Sequence, residues 1–131
     1  MKRTRIFVIA LLLSGAAGYG EKPASGNAGP VIVRMTVDKQ FVPNQLTITA
    51  GQTVQWVNED PLHNHNVSDD PDIDEERGMA LLPKGAKPFD SGVLPPGSRW
   101  SHRFTSPGRY HYVCIPHLPG MVADIIVKPA Q

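Results

Sequence analysis

The feature that most constrains the fold is a succession of short runs in which apolar and polar residues alternate, each closed by proline, glycine or asparagine. Val31-Ile-Val-Arg-Met-Thr-Val places Val31, Val33, Met35 and Val37 on one face. Leu46, Ile48 and Ala50 repeat the pattern, as do Val54 and Trp56, and Trp100, His102 and Phe104 after them. In the next run Tyr110, Tyr112 and Cys114 share one face while His111 and Val113 share the other, and Val122-Ala-Asp-Ile-Ile-Val-Lys follows. A period of two is what a strand with one buried face requires, because successive side chains point to opposite sides of a sheet. Pro43-Asn44, Ala50-Gly51, Pro95-Pro-Gly and Ser106-Pro-Gly supply the turns between runs. Short strands at this spacing predict an all-β Greek-key sandwich, with no internal repeat and no amphipathic helix before residue 70.

The chain has 131 residues, enough for one domain. Lys2, Arg3 and Arg5 precede an apolar run from Ile6 to Leu13, followed by the small residues Ser14 to Gly18. That order is expected of a cleaved signal peptide over residues 1–20, too short in its apolar part to span a bilayer. Residues 21–30, rich in Gly, Pro, Ala, Ser and Asn, read as a flexible mature N-terminus, leaving 31–131 as the single domain. The leader carries three of the 13 Lys and Arg, so the mature chain has ten against 12 Asp and Glu. With its basic residues scattered and no Gly-rich phosphate loop, nothing points to nucleic acid. An exported, periplasmic protein normally pairs its cysteines, whereas this chain has one, Cys114, which cannot form an internal disulfide. Metal coordination would protect such a thiol.

Cys114, His117 and Met121 lie within eight residues in Tyr110-His-Tyr-Val-Cys-Ile-Pro-His-Leu-Pro-Gly-Met. A thiolate, an imidazole and a thioether form a soft set that favours copper; structural zinc draws on several cysteines and histidines, and calcium or magnesium on oxygens. A fourth ligand must come from elsewhere, with His65 in His63-Asn-His-Asn-Val as the candidate. Two histidines, one cysteine and a weak axial methionine make a blue-copper electron-transfer site. The rival geometry is His63 with His65, two residues apart and so on one side of an extended segment, which can chelate zinc.

The remaining polar and aromatic features have plainer readings. Trp56 reads as core, and His102 as a core-edge histidine on an aromatic stripe rather than a ligand. His111 lies on the face turned away from any metal at Cys114. Six of the eight residues from Asp69 to Glu76 are acidic, which reads as a solvated loop; the functional alternative is a docking patch for a basic redox partner. Glu75 to Leu82 could hold one short helical turn, with Met79 a packing residue.

The chain resembles the plastocyanin, amicyanin and pseudoazurin group of small blue copper proteins, the cupredoxins. The resemblance runs from about Val31 to Lys128 and is carried by Phe41-Val-Pro, Leu46-Thr-Ile, Gly51-Gln-Thr-Val, Trp56-Val-Asn, His65-Asn-Val, Phe89-Asp-Ser-Gly, Pro96-Gly, Pro107-Gly-Arg-Tyr and the Cys114 loop. It implies a cupredoxin-like sandwich with a loop or short helical insertion at about 70–88. It also implies one type 1 copper ion held by His65, Cys114, His117 and Met121, which leaves His63 a solvated neighbour. Asn66 would tie the His65 segment to the Cys114 loop, and His117 would lie near the surface among Pro116, Leu118 and Pro119. The implied function is a monomeric carrier of single electrons that is not an enzyme, exchanging with redox proteins such as cytochromes or a copper or haem enzyme. Copper binding or delivery with the same ligands is the alternative. Three departures stand out: the four-residue interval from His117 to Met121, Ile115 where many relatives have a hydroxyl, and Val113 where plant plastocyanins have tyrosine. The Asn66 link is accordingly expected through backbone.

Overall fold

A computed structural model describes residues 29–73 and 78–131. The expected signal peptide, residues 21–28 of the expected flexible N-terminus, and Asp74, Glu75 and Glu76 of the acidic run lie outside the described residues. Among the described residues, seven strands form two sheets: β1 (Val31–Met35), β2 (Phe41–Val42), β3 (Gln45–Thr49), β4 (Thr53–Asn58), β5 (Arg99–Arg103), β6 (Gly108–Val113) and β7 (Val122–Lys128). One sheet has the order β2-β1-β4-β5 and the other β3-β7-β6. β1 runs parallel to β4, with Val33 opposite Trp56, and β3 runs parallel to β7; the other neighbours are antiparallel. The all-β sandwich expected from the alternation is the fold found.

The alternating residues meet between the sheets. Val33, Met35, Val54, Trp56, Tyr112 and Ile125 are fully buried, and Ile48, Phe104 and Val127 nearly so. Trp56 is the hub: its ring lies 5.4 Å from Tyr112 at 85°, 5.5 Å from Trp100 and 6.1 Å from Phe89. Edge-to-face and offset pairs at such distances each add about 0.5–1.5 kcal/mol beyond the apolar area they bury. His102 stacks on Trp100 at the core edge as expected, 12° from coplanar. Val37 departs from the pattern, being 47% exposed. β1 stops at Met35 because Thr36 and Gln40 close a turn, with Lys39 donating to the Thr36 carbonyl at a φ of 57°.

The free edge of β6 is covered by two loop segments. Leu81 and His111 exchange both backbone hydrogen bonds at 2.9 Å, so the described part of the insertion is extended there rather than helical. Below it Ser68 and Val113 do the same at 3.0 and 2.8 Å. On its other side the Ser68 segment pairs with the chain from Phe89 to Leu94, through Asp69 to Phe89, Ser91 to Val67 and His65 to Leu94. The segment His65–Asp69 is thus wedged between β6 and a neighbouring loop, and that wedge carries His65 to the end of β6 where Cys114 lies. It also corrects the reading of the acidic run as wholly solvated. Asp69, its first residue, is fully buried, because its backbone must reach Phe89.

Candidate copper site

Cys114 follows the last residue of β6, and the chain then turns through a single 3₁₀ turn, Ile115–His117, with Pro116 in its first positions. Proline suits a first turn, where its missing N–H would have had no partner. Three backbone bonds close the loop: His117 N–H to the Cys114 carbonyl at 3.0 Å, Met121 N–H to the His117 carbonyl at 3.2 Å, and Cys114 N–H to the Met121 carbonyl at 3.0 Å. These backbone bonds hold Cys114, His117 and Met121 close together. Met121 is fully buried and joins the apolar core at this end of the sandwich.

His65 comes to the same point from the wedge segment. Its Nδ1 lies 3.1 Å from His117 Nδ1 and 3.6 Å from Cys114 Sγ, and Cys114 Sγ lies 3.3 Å from His117 Nδ1. A triangle with these edges has a centre roughly 2 Å from each corner, the length of a metal–nitrogen bond and slightly under a metal–sulfur one. His65 and Cys114 are buried and His117 is partly exposed, so two donors are shut away from water and the third reaches the surface. Among the described residues these three form the one group of His, Cys, Asp and Glu with its donor atoms clustered this way. The donor chemistry fits copper: two borderline imidazoles and a thiol, with a thioether in the adjoining loop.

Burial pushes the Cys114 thiol up, only partly opposed by the backbone N–H groups of Asn66 and His117. Burial also lowers His117, and the neighbouring His65, Lys39 and His63 lower it further against the pull of Asp60. Cys114 and His117 are thus both biased toward their uncharged forms, and a metal held there would have to displace the thiol proton.

Asn66 ties the two halves of the site together as the resemblance implies. Its Oδ1 accepts the Ile115 N–H at 2.7 Å, and its own backbone N–H points at Cys114 Sγ at 3.4 Å. With Ile115 offering no hydroxyl, the link does run through backbone. His111 turns away, its Nδ1 2.9 Å from Asp124 Oδ1. His63 is no freely solvated neighbour: its ring centroid lies 5.8 Å from that of His117, and its Nδ1 is 2.7 Å from Asp60 Oδ2. Asp60, unremarked in the sequence, is fully buried and touches His65 Nε2 with that same oxygen at 2.8 Å. The signal available was an Asp-Pro turn, since an aspartate often accepts from the N–H two residues on; Leu62 N–H does so here at 2.8 Å.

Comparison with known proteins places the chain. Residues 32–128 match the family described as copper binding proteins, plastocyanin/azurin family. A plastocyanin of Synechococcus sp. (strain JA-2-3B'a(2-13)) is 35% identical over 135 aligned positions that cover 98% of this chain and 94% of the relative. Among solved structures, amicyanin from Paracoccus versutus (Thiobacillus versutus) superposes with a TM-score of 0.58 at 27% identity, over 80% of this chain and 89% of that one. A copper-containing nitrite reductase from Thermus scotoductus SA-01 gives 0.62 at 32% identity, over 79% of this chain but 23% of the enzyme. By sequence, fold and the donor set at the end of β6, the chain belongs to the plastocyanin/azurin family and is a small blue copper protein, a cupredoxin.

Proposed function

We propose that the protein carries single electrons between redox proteins by means of a copper ion that His65, Cys114, His117 and Met121 would hold. The observation that carries this reading is the triangle of two imidazole nitrogens and one thiol closed to water on all sides but His117. Copper bound there supplies a one-electron Cu(II)/Cu(I) couple. The chain's own part is to keep the donors in place whichever state is present. The three backbone bonds of the loop and the Asn66 tether fix Cys114 and His117, while the wedge between β6 and the Phe89 to Leu94 segment fixes His65. His117 is the edge through which electrons pass, with Pro116, Leu118 and Pro119 as its apolar surroundings.

The partners are exported redox proteins such as cytochromes or a copper or haem enzyme, and the protein itself works as a periplasmic monomer without substrate chemistry. The likeness to nitrite reductase supports no activity of that kind, because it involves less than a quarter of the enzyme's chain. The test is to express the mature chain from about Glu21, add Cu(II), and record visible and electron paramagnetic resonance spectra beside Cys114→Ser. An intense thiolate-to-copper band with narrow hyperfine splitting, lost in the variant, is expected. A pale copper spectrum, or preferred stoichiometric zinc, would sink the proposal. Copper delivery is the alternative: rapid surrender of the ion to a chelator, without fast exchange with cytochromes, would favour it.

A further inference from the structure

The carboxylate of Asp60 is built into the site more thoroughly than a chance neighbour would be. Oδ2 is shared by His65 Nε2 at 2.8 Å and His63 Nδ1 at 2.7 Å, and Oδ1 accepts the N–H groups of Leu62 at 2.8 Å and His63 at 3.2 Å. The Asp60 N–H donates to Asn58 Oδ1 at 2.9 Å. Asn58, buried at the end of β4, uses its amide to bond the carbonyls of His63 and Leu94 at 3.0 and 2.9 Å. The carboxylate is therefore anchored to the sheet, shielded from water, and surrounded by donors.

A carboxylate in that state can only accept, so the proton of His65 sits on Nε2 and the lone pair on Nδ1. Nδ1 is the atom that faces Cys114 and His117. A buried anion on the outer nitrogen of a ligand imidazole also makes that imidazole a stronger donor, and it favours the more highly charged metal ion. We propose that Asp60 is a positioning residue that selects Nδ1 of His65 as the ligand atom and holds the reduction potential of the copper site below what the same ligands would give without it. His63, with its side chain 35% exposed, covers the carboxylate on the solvent side.

The inference rests on the ligand assignment above, and two measurements separate it from that assignment. In metal-free wild-type protein, nitrogen NMR of His65 is expected to show the proton on Nε2; a proton on Nδ1 overturns the inference whether or not copper binds. In copper-loaded protein, Asp60→Asn keeps the shape and removes the charge. Loss of such an outer contact is worth about 10- to 100-fold in metal affinity. The loss should fall on Cu(II) more than on Cu(I), each tenfold difference raising the potential by about 59 mV for one electron. An intact thiolate-to-copper band with an unchanged or lowered potential overturns the inference, as does equal weakening of both oxidation states. A wild-type protein without that band instead refutes the ligand assignment and leaves the NMR result to judge Asp60.

Discussion

Replacing Asp69 by asparagine tests whether a buried, half-paired carboxyl makes the fold pH-sensitive. The side chain is fully buried; Oδ1 accepts the Phe89 N–H at 2.7 Å, while Oδ2 meets no hydrogen-bond partner. Burial raises the carboxyl to about 7; the Phe89 N–H opposes the rise and Asp70 adds to it. Between the ordinary 3.8 and about 7 the folded chain keeps a proton that the unfolded chain has released. The unfolded state then binds fewer protons, so stability falls as pH rises through that window and levels off above it. The slope from one group is at most about 1.4 kcal/mol per pH unit, which makes the loss between pH 5 and 7 about 2–3 kcal/mol. Asp69→Asn cannot ionise and removes this slope. Urea unfolding of metal-free protein, followed by tryptophan fluorescence at several pH values from 5 to 8, reads the effect. Other titrating groups are common to both proteins and cancel in the difference. The variant's stability relative to wild type should climb by about 2–3 kcal/mol from pH 5 to 7, a change of roughly 1–2 M in the midpoint difference. A difference that stays constant within a few tenths of a kcal/mol would refute the reasoning, whatever its absolute size.

Asn66→Ala leaves the Ile115 N–H without its 2.7 Å acceptor, and should cost about 1–3 kcal/mol in urea unfolding. A loss under a few tenths would mean that the tether between the two halves of the site is dispensable. Gly108→Ala should cost roughly 2 kcal/mol or more, because φ there is +138° and an added Cβ would come within 2.6 Å of Pro83 Cγ; thermal melting checks it, and an unchanged midpoint would show that the Pro83 loop is free to move off β6. His111→Gln should change stability by less than about 1 kcal/mol and leave the copper spectrum as it was, since its imidazole faces Asp124. An altered copper band would contradict that orientation.

What the sequence showed of this molecule follows from how local each determinant is. Strand faces were legible because burial repeats every second residue, as in Val33 and Met35 or Val54 and Trp56; the pattern failed at Val37, where a turn closed by Thr36 and Gln40 outweighed alternation. Cys114, His117 and Met121 were legible because the loop that gathers them is one stretch of chain. His65 stands 49 residues before Cys114, and only the resemblance separated it from His63. Asp60 went unremarked and Asp69 was read as part of a solvated run for a common reason. Composition is a property of a run, whereas burial is decided residue by residue by where the backbone must find its hydrogen bonds. Asp69 is drawn inside because its backbone N–H meets the Phe89 carbonyl and Ser68 meets Val113. Asp60 is drawn inside because Asn58 and Leu62 close a turn around it. Both carboxyls lie on irregular segments beside the sheets, where no period reports which side chain points inward, and environment divides them. Four donors around Asp60 keep it charged, whereas Asp69, with one N–H on Oδ1 and none on Oδ2, keeps its proton until the pH approaches about 7.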